Sequence, residues 1–108
     1  MKAIPASAKE RKRYIRIKVD SDSRVEKGDL EKLVIQAGLQ LLGELGMARA
    51  GIQLLTDTWN GHTAIIRVGH KFVDEAKAAL ALIKEFGGKK ITVSAVKVSG
   101  TIANVKGE

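Results

Sequence analysis

Apolar and polar positions alternate with a period of two from Arg13 to Asp20, where Ile15, Ile17 and Val19 stand between Tyr14, Arg16 and Lys18. This period predicts a first strand with one face on a core and the other in water. A polar stretch follows, and Asp29 is suited to cap a helix, since its carboxylate can accept from the free amides of a first turn. That helix runs to about Leu45, with Leu30, Leu33, Val34, Ala37 and Leu41 spaced along one stripe and Gly43 and Gly46 to stop it. Two β-rich runs, Ala50 to Trp59 and His62 to Val68, flank Asn60-Gly61, the dipeptide that most favours a two-residue type I′ turn. From Lys71 to Phe86 the residues Phe72, Ala76, Ala79, Leu80 and Ile83 share a second helical stripe, ended by Gly87-Gly88. The last strand, Lys90 to Val98, is dense in β-branched residues.

The order strand, helix, strand, strand, helix, strand predicts an α+β two-layer sandwich. Right-handed crossovers and one hairpin give a four-stranded antiparallel sheet with two helices on one face, the ferredoxin-like or RRM-like βαββαβ arrangement. One domain is expected over residues 13–102, after a basic arm at 1–12 and before a short polar tail at 103–108. With 108 residues there is room for one core. The open sheet face carries Tyr14, Arg16 and Lys18, because Ile15, Ile17 and Val19 must point at the helices. Arg67 joins them from the neighbouring third strand, where the pattern leaves open which of Ile65 and Ile66 faces the core.

Charge sharpens this picture through its position. Residues 1–18 hold seven Lys or Arg against one Glu, while the rest of the chain holds twelve basic and eleven acidic residues, so nearly all of the net +7 lies at one end. Such a block attracts polyanions by releasing their counterions, which makes Lys9, Arg11, Lys12, Arg13, Tyr14, Arg16, Lys18 and Arg67 the candidate RNA-binding residues. The alternative is a solubilising arm. No amphipathic apolar face adjoins the block, which argues against a membrane surface. The chain has no cysteine, which removes disulfides and thiolate chemistry. No apolar run has signal-peptide or membrane-spanning length, so a soluble, cytoplasmic protein is expected.

The chemical inventory is thin. Base stacking on the first and third strands needs aromatic side chains, and the whole chain has four aromatics, of which Tyr14 alone lies on those strands. Contact with phosphates and RNA shape suits it better. His62 and His70 are the candidate acid–base pair, but one follows a hairpin turn and the other precedes a helix, positions where structural hydrogen bonding is the ordinary role. Asp20 and Asp22 share a loop without a third ligand, so no metal site is indicated. Walker loops and GxSxG elbows are absent. Ile35, Leu39 and Leu42 form a second apolar stripe on the first helix, to be covered by a partner protein, by another copy, or by the chain's own loops.

Four segments carry a resemblance in register: Arg13-Tyr14-Ile15, Leu42-Gly43-Glu44-Leu45-Gly46, Ile66-Arg67-Val68-Gly69-His70 and Val98-Ser99-Gly100-Thr101-Ile102. Together with the leader Ile4-Pro5-Ala6-Ser7, they resemble the family of the second protein component of archaeal ribonuclease P, over residues 4–102. The resemblance implies an RRM-like sheet and a place in a ribonucleoprotein that removes the 5′ leader of precursor tRNA. The ribonuclease P RNA would do the chemistry with its own magnesium, so the protein would bind no cofactor, supply no catalytic residue and meet precursor tRNA only indirectly. It also implies a tight partner, the barrel-like protein subunit (component 3). The tail Ala103 to Glu108 is too short for the added C-terminal helical segment of some relatives. Two other readings compete. A small-molecule-binding regulatory domain of this topology is disfavoured by the basic leader. An acylphosphatase-like enzyme is disfavoured by the acidic loop Asp20-Ser21-Asp22 where an anion cradle would be needed.

Overall fold

The computed structural model describes residues 11–106. Five strands form one antiparallel sheet: β1 (Lys12–Ser21), β2 (Gln53–Leu55), β3 (Thr63–Gly69), β4 (Glu85–Phe86) and β5 (Lys89–Ser99), in the order β2-β3-β1-β5-β4. Three helices accompany it: α1 (Lys27–Ala50), α2 (Val73–Ala81) and α3 (Ile102–Lys106). Four of the strands take the order expected of βαββαβ. The predicted count of four strands and two helices is therefore corrected to five and three.

The sheet's inner face is built as the alternation predicts. Ile15, Ile17 and Val19 of β1 are buried beside Ala64, Ile66 and Val68 of β3 and Ile91 and Val93 of β5. Leu30, Val34 and Ala37 of α1 and Ala76, Ala79 and Leu80 of α2 close the core from above. The register settles the third strand: Ile66 pairs with Ile15 on the core side, while Ile65 pairs with Arg16 on the other.

Local differences from the predicted elements have identifiable causes. Asp29 is not the cap of α1 but its third residue, and its carboxylate accepts from the Glu26 amide at 3.2 Å, with Glu26 as the N-cap. Helix α1 does not stop at Leu45. Gly43 adopts φ 73° and ψ 176°, the chain bends there, and a second helical piece continues to Ala50 before Gly51 closes it in the left-handed conformation. This second piece folds back until Met47 Cε lies 2.7 Å from where a Cβ on Gly38 would stand. Because of the bend, Leu42 packs on the core and Leu41 is exposed, the reverse of the predicted stripe.

Asn60-Gly61 does not make a two-residue type I′ turn, since that turn needs positive φ at both positions and only Gly61 has it. Instead, β2 ends at Leu55 and a single 3₁₀ turn, Thr56–Thr58, leads into a longer loop. There the Asn60 side chain accepts from the amides of His62 and Thr63, both at 2.9 Å. The type I′ signature belongs to Gly87-Gly88, which have φ 61° and 78° and join β4 to β5. They make a hairpin rather than stop a helix, so α2 is shorter than predicted and ends at Ala81.

Residues 102–106 form helix α3 where a tail too short for a helical segment was expected. It touches β1 and β5. Its Val105 is fully buried yet stands outside the main core cluster. Helices α1 and α2 occupy the inner face, so α3 lies over the outer one. The sheet face expected to be open is thus partly covered.

Candidate nucleic-acid interface

Pairing across the sheet decides which side chains share the outer face, because directly opposed residues of antiparallel strands point the same way. Tyr14 is opposed by Arg67 on one side and Ser99 on the other. The next rung sets Arg16 against Ile65 and Lys97, and the next sets Lys18 against Thr63 and Ser94. Arg16, Lys18, Arg67 and Lys97 therefore lie on one surface with Tyr14. The Arg67 guanidinium donates to the side-chain carbonyl of Gln53 on the same rung. Tyr14, Arg16 and Arg67 are half-buried, whereas Lys18 is exposed.

Lys97 was hidden from the sequence pattern by a bulge. Ile17 pairs with Ala95 but Arg16 pairs with Lys97, so Val96 is an extra residue on β5. With strict alternation from Ile91 and Val93, Lys97 would face the helices; the bulge turns it outward. The trace of this in the sequence is the adjacent apolar pair Ala95-Val96, which breaks the period of two.

The remaining candidate cations do not all join this face. Arg13 shares the side of Ile15, opposite to Tyr14, and its guanidinium donates to the Lys12 carbonyl at 3.3 Å. Arg11 and Lys12 stand at the start of β1 beside it, and all three line one groove with the turn that follows β5. Lys9 and the leader Ile4-Pro5-Ala6-Ser7 lie outside the described residues.

The two histidines are held apart. They bracket the seven residues of β3, a separation of roughly 25 Å at the usual strand rise. His70 donates its backbone amide to the Arg11 carbonyl at 2.9 Å, with its ring Nδ1 3.2 Å from the same oxygen. The His62 carbonyl accepts from the Val19 amide at 2.7 Å. Each thus serves a turn next to β1. Asp20 and Asp22 line a shallow groove with Lys90, and among the described residues no group of three His, Asp or Glu could hold a metal ion.

On the far side of the molecule, Ile35 and Leu39 are 43% and 40% exposed on the outer side of α1. Leu42, the third member of the predicted stripe, leans on the core. Leu45 beyond the bend is 67% exposed and extends the apolar surface.

The class is an α+β two-layer domain with a cationic sheet surface on one side and an apolar helical surface on the other. The sequence profile of the Rpp14/Pop5 family matches residues 13–108, and the chain belongs to that family. It is 32% identical to Ribonuclease P protein component 2 of Pyrococcus horikoshii over 106 residues, 98% of this chain and 88% of that protein. With its counterpart in Thermococcus kodakarensis the identity is 34% over 105 residues, 97% of this chain and 88% of that one. Among solved structures, a chain of yeast ribonuclease MRP shares the fold, with a TM-score of 0.69 at 16% identity, covering 94% of this chain and 79% of the other.

Proposed function

We propose that this protein is an RNA-binding subunit of ribonuclease P that supports the catalytic RNA in removing the 5′ leader of precursor tRNA and contributes no catalytic group itself. The observation that carries this is the concentration of cations on β1 and the rungs beside it, in a chain whose relatives are named as ribonuclease P components. Arg11, Lys12, Arg13, Arg16, Lys18 and Arg67, with Lys97 added, would meet phosphates of the RNA, and Tyr14 would lie against the sugar–phosphate backbone. Magnesium would be held by the RNA. The apolar surface of Ile35, Leu39 and Leu45, with Leu42 turned toward the core, would dock a protein, for which the barrel-like subunit, component 3, is the proposed partner, with a second copy of the chain as the other occupant. The particle would work in the cytoplasm; among the described residues no helix is long and apolar enough to cross a membrane.

Direct measurement of binding tests this. Replacing Arg11, Lys12, Arg13 and Arg16 together with Gln should weaken affinity for the ribonuclease P RNA and flatten the plot of log K against log salt by roughly one unit per lost phosphate contact. An unchanged slope would overturn the assignment.

A further inference from the structure

Gly100 and Thr101 follow the last residue of β5, Ser99, and with it make the turn that leads into α3. This turn faces the start of β1 across a groove of about 680 Å³, lined on one side by Arg11, Lys12 and Arg13 and on the other by Ser99, Gly100 and Thr101. Building on the RNA-binding reading above, we propose that this groove is a built site for a backbone phosphate of the RNA, with the Ser99-Gly100-Thr101 turn as its second wall.

The chemistry of the lining is one-sided. Three cations and the hydroxyls of Ser99 and Thr101 meet there, with Tyr14 beside them and no carboxylate, whereas three other surface grooves each include at least one: Asp20 and Glu26 in the first, Asp20 and Asp22 in the second, Glu85 in the third. The hydroxyls are fixed in a useful sense. Ser99 Oγ accepts from the Thr101 amide at 3.3 Å, and Thr101 Oγ1 accepts from the Asn104 amide at 3.2 Å. Each oxygen is thereby held as an acceptor while its proton remains to be donated, and a phosphate oxygen is an acceptor only. On the opposite wall, the two contacts from His70 to the Arg11 carbonyl hold the backbone that carries the first cation.

Gly100 supplies the independent observation. Five glycines of the described chain have positive φ and are needed for their conformation, but Gly100 is not among them. Its backbone would accept a side chain. A Cβ built there stands 3.5 Å from Arg13 Nη1, so any larger group would grow into the groove beside the guanidinium. The missing side chain keeps the approach to Arg13 open, which is what a phosphate seated between Arg13 and the turn requires.

The test uses the full chain and the ribonuclease P RNA transcribed in vitro. Gly100→Val changes no charge, yet it should weaken RNA binding about tenfold and lower the salt slope by about one, as loss of one phosphate contact does. Lys89→Gln, at an exposed lysine outside the groove, should change affinity less than twofold. If Gly100→Val melts like the parent and binds RNA equally well, the groove is not the site. If the combined replacement of Arg11, Lys12, Arg13 and Arg16 is also silent, the RNA-binding reading itself fails. Loss of association with a protein instead of RNA would assign the groove to an acidic protein surface and overturn the proposal. Should Gly100→Val unfold, titration of the unaltered chain with inorganic phosphate decides. The amide resonances of Gly100 and Thr101 should shift before those of Lys89 and Lys90, and simultaneous shifts would leave only diffuse charge.

Discussion

The bend at Gly43 is the point on which the apolar surface of α1 depends, and it can be tested by adding one methyl group. With φ 73° and ψ 176°, Gly43 occupies a region essentially closed to residues with a Cβ. A Cβ there meets nothing within 4 Å, so contact adds no penalty and the backbone alone sets the cost of Gly43→Ala, about 1–3 kcal/mol. For a domain of this size each kcal/mol lowers the melting temperature by about 4–8 °C, so the variant should melt some 4–24 °C below the parent. The control is Gly28→Ala, in the first turn of the same helix, where an added Cβ also meets nothing and φ is ordinary. There the change should be neutral or stabilising by up to about 1 kcal/mol, because Ala is the better helix former. Differential scanning calorimetry on the three proteins separates the cases. If Gly43→Ala melts with the parent, the helix runs straight through position 43, Met47 does not return to Gly38, and the exposed surface of Ile35, Leu39 and Leu45 has a different shape.

Two further outcomes are expected. Leu39→Asp should leave the monomer's melting temperature within about 4 °C of the parent. Association with the barrel-like subunit, or with another copy, should weaken by about thirtyfold or more by isothermal titration, the effect of a central contact worth upwards of 2 kcal/mol; a collapse of monomer stability would place Leu39 in the chain's own core. His62→Gln with His70→Gln should keep precursor-tRNA cleavage by a reconstituted particle within about an order of magnitude, and a loss of several orders with fold and RNA affinity intact would reveal a catalytic role.

The parts of the fold that could be read in advance were those fixed by burial. Ile15, Ile17 and Val19 alternate because one sheet face is dry, and Ala76, Ala79 and Leu80 recur because one helical stripe is dry. Patterns of this kind report the solvent on either side of an element and little else. Where the chain changes direction, the deciding quantity is backbone conformation, and a glycine does not announce which use is made of it. Gly43 bends a helix that goes on, Gly61 sits in a loop held by the Asn60 side chain, and Gly87-Gly88 turn a hairpin. Along the chain alone, Gly43 and Gly87-Gly88 read as helix stops and Gly61 as half of a type I′ turn. Helix α3 escaped because one buried side chain, Val105, holds it to the sheet, and a single apolar residue has no period.

For the candidate interface, the same logic divides what was legible from what was not. Tyr14, Arg16 and Lys18 follow from the strand's period alone, and Arg67 follows from the pairing of β1 with β3 that the topology demands. Lys97 needed a bulge, and the groove that sets Arg11, Lys12 and Arg13 against Ser99, Gly100 and Thr101 needed the end of β1 to be seen against the turn after β5. The consequence is physical. Cations that appear as one block along the chain are sorted by the pleat onto two surfaces. Arg16, Lys18, Arg67 and Lys97 share the outer sheet face with Tyr14, Arg13 lies on the opposite side of the strand, and the groove at the start of β1 draws on both, with Arg11, Lys12, Arg13 and Tyr14 in its lining. Coulomb attraction from both surfaces steers a polyanion, because it acts over about a Debye length, some 8–10 Å at physiological salt. Direct phosphate contacts require access as well as charge. Arg11 at the groove and Lys18 and Lys97 on the sheet face are exposed while Arg16 is half-buried, so neutralising one of the exposed cations should cost more affinity than neutralising Arg16.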